Sequence, residues 1–270
     1  EAPRLTISVA RLEQLSPALL ELGCPARVYI PLEEVSRLES LPGEGPEWCA
    51  VLPRVWRDRD EPALRTLLER ARALGFTGVL IGNLGHLPLV RGLNFHLYGD
   101  YGLNVFNSRS LAYLKDKELE SACVSFELRF AQIRDLKKVL RAEAIVYGRL
   151  PLMITENCLV QNETGCRLDR QGPCVPEDGP CRCGQPNVLV DRTGAAFPLL
   201  PAYGHRTEIQ NSKPLYLADR PEHRRLGLAY ARLRFTTETA EECVSVVQNY
   251  LDAAPAAGDF TRGLYERGVE

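Results

Sequence analysis

Residues 61–83 read "EPALRTLLERARALGFTGVLIGN", and they predict a helix that leads directly into a strand. Apolar residues recur at helical spacing over residues 61–74, and Gly75 ends that run, as glycine commonly does just after a helix. The following "GVLIGN" (78–83) is a short apolar run with β-branched residues, which is typical of a buried strand. Alternation of this kind indicates βα units and a parallel sheet.

The same alternation extends in both directions along the chain. Apolar runs before residue 151 predict seven strands, at 5–9, 26–31, 48–54, 78–83, 96–104, 122–128 and 144–150. Helices are expected at 11–22, which Gly23 should stop, at 61–74 and at 129–142. An eighth strand fits 226–237, and a helix capped by Thr239 follows at 239–253. Eight strands alternating with helices predict an α/β fold, a (β/α)8 TIM-barrel-like architecture.

The spacing of the strands breaks between the seventh and the eighth, where residues 151–225 form an insertion far longer than an ordinary loop. Within it, residues 187–201 predict a β-hairpin that turns at Arg192 to Gly194, hence a small β module. The predicted organisation is therefore 1–150 for βα units 1–7, 151–225 for the insertion, 226–253 for the last strand and helix, and 254–270 for a C-terminal tail. An insertion after a barrel strand leaves from the carboxyl end, where barrel enzymes place their chemistry.

Composition places few limits on function. The chain has 270 residues, 45% hydrophobic and 25% charged, with a formal net charge of −2, which gives no global attraction to nucleic acid or to an anionic membrane. No apolar run is long enough to predict a membrane span, and the first residues lack the order of a signal peptide. We expect a cytoplasmic protein. The only methionine is Met153, which leads us to expect a segment of a longer chain.

Five of the nine cysteines fall within the insertion, at positions 158, 166, 174, 181 and 183. In a reducing compartment such a cluster points to metal or redox chemistry rather than to disulfides. None of the five forms a CxxC pair, which disfavours a zinc ribbon, whereas an iron–sulfur cluster needs only thiolates that converge in space. The alternative to metal binding is that these are reduced cysteines in a surface loop without a ligand. The other four, Cys24, Cys49, Cys123 and Cys243, are expected in the core.

Several long stretches resemble the collagenase-like peptidase family U32. They are "GDYGLNVFNS" (99–108), "VSFEL" (124–128), "YGRLPLMITENC" (147–158), "LVDRTGAAFPL" (189–199), "NSKPLYLADR" (211–220) and "FTRGLYERGV" (260–269). The resemblance covers essentially the whole chain and is greatest to the C-terminal (second) barrel of a larger multi-domain member. It implies a barrel-like fold and, as in several members, a four-iron four-sulfur cluster held by four cysteines. Those members serve in hydroxylation of tRNA or rRNA bases or of a quinone precursor, and others are named as collagen-degrading proteases.

The resemblance also implies a ligand set. Its positions correspond to Cys158, Cys166 and Cys183, while a fourth family cysteine falls where "GHRTEIQNS" (204–212) has His205. The favoured set is Cys158, Cys166, Cys174 and Cys183, with Cys181 and His205 as substitutes, and zinc is the alternative metal. RNA is then the expected substrate and the preceding domains of a longer chain the expected partners, or a peptide if the protein is a protease.

Polar residues at the predicted strand ends are the candidates for catalysis. These are Glu127, Arg149, Asp100 and Asn104, with Asn83, Asn107, Tyr147 and Arg54 nearby. In a barrel they converge on one mouth, where a carboxylate, amides and arginines can orient a polar substrate and transfer protons. Arg149 and Arg54 together can hold a phosphate or carboxylate, and Glu156 is a candidate to support Cys158. Taken alone, each asparagine is expected to form only a helix-cap or loop hydrogen bond. His86 is expected to be an ordinary loop histidine.

Three functions are compatible with these residues and motifs. The first is an iron–sulfur enzyme, or half of one, that supports hydroxylation of an RNA base. The second is a hydrolase, a collagenase-like protease, although no GxSxG elbow and no HExxH motif is present in the sequence. The third is a non-catalytic second barrel with a structural metal site.

Overall fold

The computed structural model describes residues 2–164 and 185–269. The chain divides into two compact units, one formed by residues up to Gly148 together with those from Leu215 onward, the other by Arg149–Pro214. The sequence predicts that the insertion spans residues 151–225. In the structure the second unit ends earlier, at Pro214, and the chain rejoins the first unit at Leu215. No helix in the described ranges is both long and apolar enough to cross a membrane.

The first unit contains a closed barrel of eight parallel strands, which confirms the predicted fold. The strands are β1 (Arg4–Ser8), β2 (Arg27–Pro31), β3 (Glu47–Val51), β4 (Gly78–Ile81), β5 (His96–Gly99), β6 (Ser121–Cys123), β7 (Arg141–Gly148) and, after the insertion, β13 (Tyr230–Arg234). β1 to β6 pair in chain order, β13 pairs with both β1 and β7, and β6 closes the ring by pairing with β7. All of these pairings are parallel, so every carboxyl end faces one mouth.

The barrel helices are α1 (Pro17–Gly23), α2 (Glu61–Ala73), α3 (His86–Val90), α4 (Ser108–Asp116), α5 (Phe130–Asp135) and α7 (Ala240–Leu251). The helix predicted at 61–74 is confirmed as α2. Leu64, Leu68 and Ala71 are buried on one face, and Gly75 follows the helix with φ +101°. Helix α7 begins at the predicted cap, where the Thr239 side chain accepts a hydrogen bond from the Glu242 N–H.

Two helix predictions are wrong at their boundaries. The predicted helix 11–22 begins only at Pro17, because Ser16 caps it and a proline nitrogen cannot donate to a preceding turn. It ends at Gly23, and the C-cap residue Cys24 takes the left-handed conformation with φ +34°. Cys24 is exposed, so it is not the core residue that the sequence predicts. The predicted helix 129–142 stops at Asp135, and Arg141 already pairs with Ser121 in the barrel. Strand pairing overrides the helical pattern there.

The barrel interior holds apolar and polar side chains together. Cys49, Cys123 and Cys243 are buried as expected. Cys49 packs in one cluster with Tyr29, Leu80 and Tyr98. Two arginines, Arg27 and Arg232, are almost completely buried inside the ring. The sequence predicted neither of them.

Strand β12 (Leu215–Tyr216) and the C-terminal residues also belong to the first unit. β12 pairs antiparallel with the end of β7. The Arg262 guanidinium pairs with the Asp219 carboxylate at 2.6 Å, and the Tyr265 hydroxyl donates to the Ile145 carbonyl at 2.6 Å. Tyr265 is fully buried, so the segment predicted as a tail, 254–270, is anchored to the barrel.

The second unit is built on a four-stranded antiparallel sheet in the order β8 (Pro151–Thr155), β11 (Arg206–Gln210), β10 (Ala196–Ala202) and β9 (Asn187–Val190). Helix α6 (Leu159–Thr164) follows β8. The hairpin predicted over 187–201 is confirmed as β9 and β10, and the Asp191 carboxylate accepts hydrogen bonds from the Thr193 and Ala195 N–H groups in its turn.

Candidate active site at the carboxyl end of the barrel

A buried ion network in the middle of the barrel reaches the carboxyl end of the strands at Asp100. The Arg232 guanidinium pairs with the Asp100 carboxylate at 2.5 Å and also with the Glu143 carboxylate. Glu143 in turn accepts hydrogen bonds from the Thr6 hydroxyl at 2.5 Å and from the Tyr29 hydroxyl at 3.1 Å. Burial would by itself lower the pKa of Arg232, but Glu143 and Asp100 raise that pKa well above its usual value. The arginine therefore stays charged at every pH at which the barrel is folded.

Asp100, a predicted catalytic residue, lies at the top of this network. Its carboxylate also accepts a hydrogen bond from the Tyr101 N–H at 2.8 Å, so it fixes the second residue after β5. The side chain is 4% exposed. Asp100 thus holds the Tyr101 backbone and the Arg232 guanidinium at once.

The Tyr101 ring lies within cation–π range of two arginines at this mouth. The Arg54 guanidinium carbon lies 5.1 Å from the ring centroid, and that of Arg234 lies 5.8 Å from it. The Phe126 ring, which follows β6, is 5.8 Å from Tyr101 between centroids. Two cations and a second aromatic ring therefore surround Tyr101, from the end of β13 and from the segments that follow β3 and β6. This combination suits a planar, anionic ligand.

Glu127 follows Phe126 and is half-buried. Its backbone N–H donates to the Ser125 hydroxyl at 3.3 Å, but within residues 2–164 and 185–269 its carboxylate has no hydrogen-bond or ion-pair partner. A half-buried carboxylate with no protein partner is available to accept a proton or a hydrogen bond from a ligand.

A second polar cluster lies at the ends of β7, β13 and β1. The Tyr147 hydroxyl donates to the Glu238 carboxylate at 3.1 Å, and that carboxylate also accepts from the Thr236 N–H at 2.6 Å. The Gln14 amide donates to the Glu238 carbonyl at 3.0 Å. Tyr147, a predicted mouth residue, is therefore held by a buried carboxylate that the sequence did not single out.

The asparagines at the mouth have local roles. Asn107 caps α4 by accepting from the Arg109 and Ser110 N–H groups, and the Asn83 side chain accepts from the Gly85 N–H at 2.8 Å. Asn104 is exposed and takes the left-handed conformation at the end of a short 3-10 turn. The cap or loop hydrogen bond that the sequence predicts for single asparagines is confirmed for Asn83 and Asn107.

His86, expected to be an ordinary loop residue, is completely buried at the start of α3. Its Nε2 donates to the Pro53 carbonyl at 3.1 Å, and its ring stacks on Trp56. Burial lowers the pKa of His86 to about 4, so the imidazole is neutral at pH 7. Its Nδ1 has no hydrogen-bond partner within the parts of the chain that the structure describes.

The remaining predicted site residues belong to the second unit. Arg149 donates to the Asn211 carbonyl at 3.1 Å and to the Ser212 carbonyl. Arg54, its predicted companion, lies instead near Arg234, on the same tyrosine ring. Glu156 pairs with Arg206 at 3.0 Å.

Cys158 is buried and immediately precedes α6, whose first N–H donates to the Thr207 hydroxyl. The register of β8 and β11 pairs Thr155 with Thr207, which places Cys158 and His205 at the same end of the small sheet. The other four insertion cysteines, Cys166, Cys174, Cys181 and Cys183, lie outside the described residues. Within the described ranges, no group of three or more His, Cys, Asp or Glu side chains is placed to hold a metal ion.

The barrel thiols are poorly suited to act as nucleophiles. Burial raises the pKa values of the Cys49 and Cys123 thiols well above their usual range and the pKa of Cys243 to about 12. A protonated thiol is a weak nucleophile and a weak metal ligand. Cys49, Cys123 and Cys243 are therefore poor candidates for metal ligands.

Sequence reasoning missed Arg232, Arg234 and Glu143. A signal for the two arginines exists in "YARLRF" (230–235), where positions 230, 232 and 234 alternate with small or apolar residues, as along one face of a strand. In a strand with neighbours on both sides, that alternation directs two arginines toward the barrel interior.

The fold and the mouth define a (β/α)8-barrel protein with a charged, aromatic site at the carboxyl ends of its strands. Residues 41–187, more than half of the chain, match the model of Peptidase family U32. The chain belongs to that family, which confirms the resemblance of its motifs.

Solved structures with similar chains have low identity. The U32 peptidase Mk0906 is 9% identical, with 88% of this chain and 95% of that chain covered and a TM-score of 0.47. A GH18 chitinase from Cycas revoluta is 12% identical over 92% of this chain and 98% of that one, with a TM-score of 0.39. Ribulose-1,5-bisphosphate carboxylase/oxygenase from Pyrococcus horikoshii is 8% identical over 94% and 59%, with a TM-score of 0.42. A comparison with curated proteins found no match.

Proposed function

We propose that this U32 chain is an iron–sulfur-dependent enzyme, or half of one, that supports hydroxylation of a tRNA or rRNA base. The observation that carries the proposal is the pair of guanidinium groups, Arg54 and Arg234, held by the buried Tyr101 ring, with the half-buried Phe126 ring beside it as the aromatic surface. Aromatic rings stack on bases irrespective of sequence, and guanidinium groups bind phosphate through paired N–H donors. A net charge of −2 gives the whole chain no attraction to RNA, so the contact depends on this local cationic site.

Within the site, the proposed roles follow from the contacts. Glu127 accepts a proton from the substrate, since its carboxylate is half-buried and has no partner in the described parts of the chain. Asp100 positions Tyr101 and Arg232 and is less suited to proton transfer, because both of those groups already engage it. Asn104, which is exposed, is assigned a hydrogen bond to the substrate.

The cofactor we propose is a four-iron four-sulfur cluster in the insertion. Five thiols within the 26 positions from Cys158 to Cys183 provide the required donor chemistry. The proposed ligands are Cys158, Cys166, Cys174 and Cys183, with Cys181 and His205 as substitutes. Such a cluster, when bound, supplies single electrons at a potential set by its surroundings. Zinc held by the same residues is the alternative, and preceding domains of a longer chain are proposed as partners.

The cofactor is tested by purifying the chain without oxygen and measuring iron, sulfide, zinc and the visible spectrum. We expect about four irons and four sulfides per chain. Cys158→Ala should abolish loading, whereas Cys24→Ala, an exposed thiol of the barrel unit, should leave it unchanged. Full iron and sulfide in the Cys158 variant would contradict the ligand assignment. Zinc alone, or no metal, would favour a non-catalytic second barrel.

The RNA site is tested by the binding of a fluorescent single-stranded RNA to the Arg54→Gln and Arg234→Gln variants. Each is expected to weaken binding roughly tenfold, the effect of losing one charge-assisted contact. Arg72→Gln, a change at an exposed arginine in the last turn of α2, is the matched control and should bind as the parent does. Equal loss in all three variants would indicate a general charge effect and would contradict the proposed site.

The activity itself is tested by mass spectrometry of RNA incubated with the loaded protein, a reductant and an oxygen-atom donor, because hydroxylation adds one oxygen atom to the base. A nucleoside heavier by one oxygen, lost in Glu127→Gln, would support the proposal. Inhibitor-sensitive cleavage of gelatin without any change in RNA would instead assign the chain to the collagenase-like proteases.

A further inference from the structure

A cavity lies at the amino-terminal end of the barrel, opposite the candidate active site. Its volume is about 380 Å³, and charged or hydroxylated side chains that begin the strands line it, among them Arg4, Arg27, Glu47, Glu120, Arg141 and Tyr230. This volume is within the range of small-molecule sites. No step of the proposed function uses these residues.

Arg27 is the buried base of this cavity. It is 3% exposed, and its guanidinium lies between the rings of Tyr98 and Tyr230, at 3.6 and 4.2 Å from their centroids. It donates to the Glu47 carboxylate at 3.0 Å, to the Ser121 hydroxyl at 2.9 Å and to the Tyr230 hydroxyl at 3.0 Å. Three of its five N–H groups are thus used by the protein.

The Tyr230 hydroxyl has an unusual set of neighbours. Its oxygen accepts from Arg27 and also from Arg141, at 3.3 Å, so two cations share one phenolic oxygen. Its own proton has no acceptor in the parts of the chain that the structure describes. Tyr230 is 5% exposed and belongs to the lining of the cavity. Two cationic donors on its oxygen polarise the O–H bond and strengthen it as a donor to an anion.

The charge of the lining favours an anion as well. Arg4, Arg27 and Arg141 carry three positive charges, whereas Glu47 and Glu120 carry two negative charges, which leaves one positive charge before His96 is counted. Glu47 is held by Arg27 and Glu120 by Arg141, at 3.0 and 2.8 Å. Arg4 has no ion-pair partner within residues 2–164 and 185–269, and it supplies the excess charge at the rim.

We propose that this cavity binds a small oxyanion, a phosphate or carboxylate group of a metabolite-sized molecule. The Tyr230 hydroxyl and the remaining N–H groups of Arg27 and Arg141 donate to its oxygens, and Arg4 adds charge at the entrance. The two glutamates, on the same lining, can accept hydrogen bonds from hydroxyl or amino groups of the ligand. The other explanation for these residues is an ion network that only closes the end of the barrel.

The test is titration calorimetry of the full chain with inorganic phosphate and, separately, with succinate. Arg141→Gln and Tyr230→Phe should each weaken binding roughly tenfold, because each removes one donor. Arg4→Gln, a change at an exposed position that leaves the buried network intact, should weaken it several-fold, while Arg134→Gln, an exposed arginine on α5, should not change it. Binding of phosphate alone, or of succinate alone, would identify the group recognised.

Failure of both anions to bind would overturn the proposal. Binding that is equal in the parent and in the folded Arg4→Gln variant would overturn it too, since the anion would then lie elsewhere. In either case the residues would be assigned to barrel closure.

Discussion

Two buried arginines, Arg232 in the middle of the barrel below the carboxyl mouth and Arg27 at its amino-terminal end, are neutralised by different partners. Each packs against tyrosine, Arg232 over Tyr29 at 4.5 Å and Arg27 between Tyr98 and Tyr230. Arg232 is neutralised by two buried carboxylates, whereas Arg27 has a single carboxylate, Glu47, whose side chain is 24% exposed. Water can therefore reach the partner of Arg27 but not those of Arg232.

This difference indicates that the network around Arg232 must be kept whole, while that around Arg27 can adjust. A carboxylate that loses its cation in the interior keeps its full desolvation cost. A partly exposed carboxylate regains hydration instead. Two histidines differ in exposure in the same way. His86, near the carboxyl end, is buried and neutral, whereas His96, at the amino end, is exposed beside Glu120.

Arg232→Met should have the largest effect. It leaves Asp100 and Glu143 buried without a cation, and we expect the free energy of unfolding to fall by about 3–5 kcal/mol. Urea denaturation followed by fluorescence measures this change. The triple variant that also carries Asp100→Asn and Glu143→Gln should recover part of the loss. If the triple variant is less stable than Arg232→Met alone, the unpaired buried carboxylates are not the cause of the lost stability.

The buried His86 should make the free energy of unfolding depend on pH. Burial lowers its pKa from the usual 6.5 to about 4, so the unfolded state binds a proton more readily than the folded state. Stability should therefore fall as the pH is lowered from 6.5 and level off below about 4, by about 2–3 kcal/mol. His86→Gln keeps a donor for the Pro53 carbonyl and should remove this part of the slope. An unchanged slope in that variant would show that other groups cause it.

Arg27→Met should cost less than Arg232→Met, about 2 kcal/mol, because Glu47 can be hydrated once its partner is gone. The same urea titration compares the two variants directly. Equal losses in the two variants would refute the distinction that we draw between the two arginines.

The smallest expected effects come from single hydroxyl groups. Tyr29→Phe removes the donor at 3.1 Å from buried Glu143, at a cost of about 1–2 kcal/mol. Tyr98→Phe removes a donor to Glu47, at 2.7 Å from one of its oxygens, and should cost about 0.5–1 kcal/mol because water can replace it. A greater loss in the second variant than in the first would reverse the ranking of the two arginine networks.

Much of the fold was predictable because local patterns determine it. The alternation of helical and apolar runs predicted all eight barrel strands, the caps at Gly75 and Thr239 predicted where two helices end and begin, and the hairpin at 187–201 followed from its turn residues. The pattern failed at 136–142, where pairing of Arg141 with β6 replaced helix, and at Cys24, whose exposure depends on how α1 ends.

The composition of the site was less predictable. The sequence by itself determined which residues stand at strand ends, and so it predicted that Asp100 and Glu127 belong to one mouth and that the cysteines gather in an insertion after β7. Only the tertiary structure decided that Arg232, 132 positions from Asp100, neutralises it, and that Arg54 and Arg234 meet on Tyr101. Secondary structure depends on neighbours a few residues apart, whereas closing a barrel joins side chains from distant strands, and no local pattern records which of them will meet.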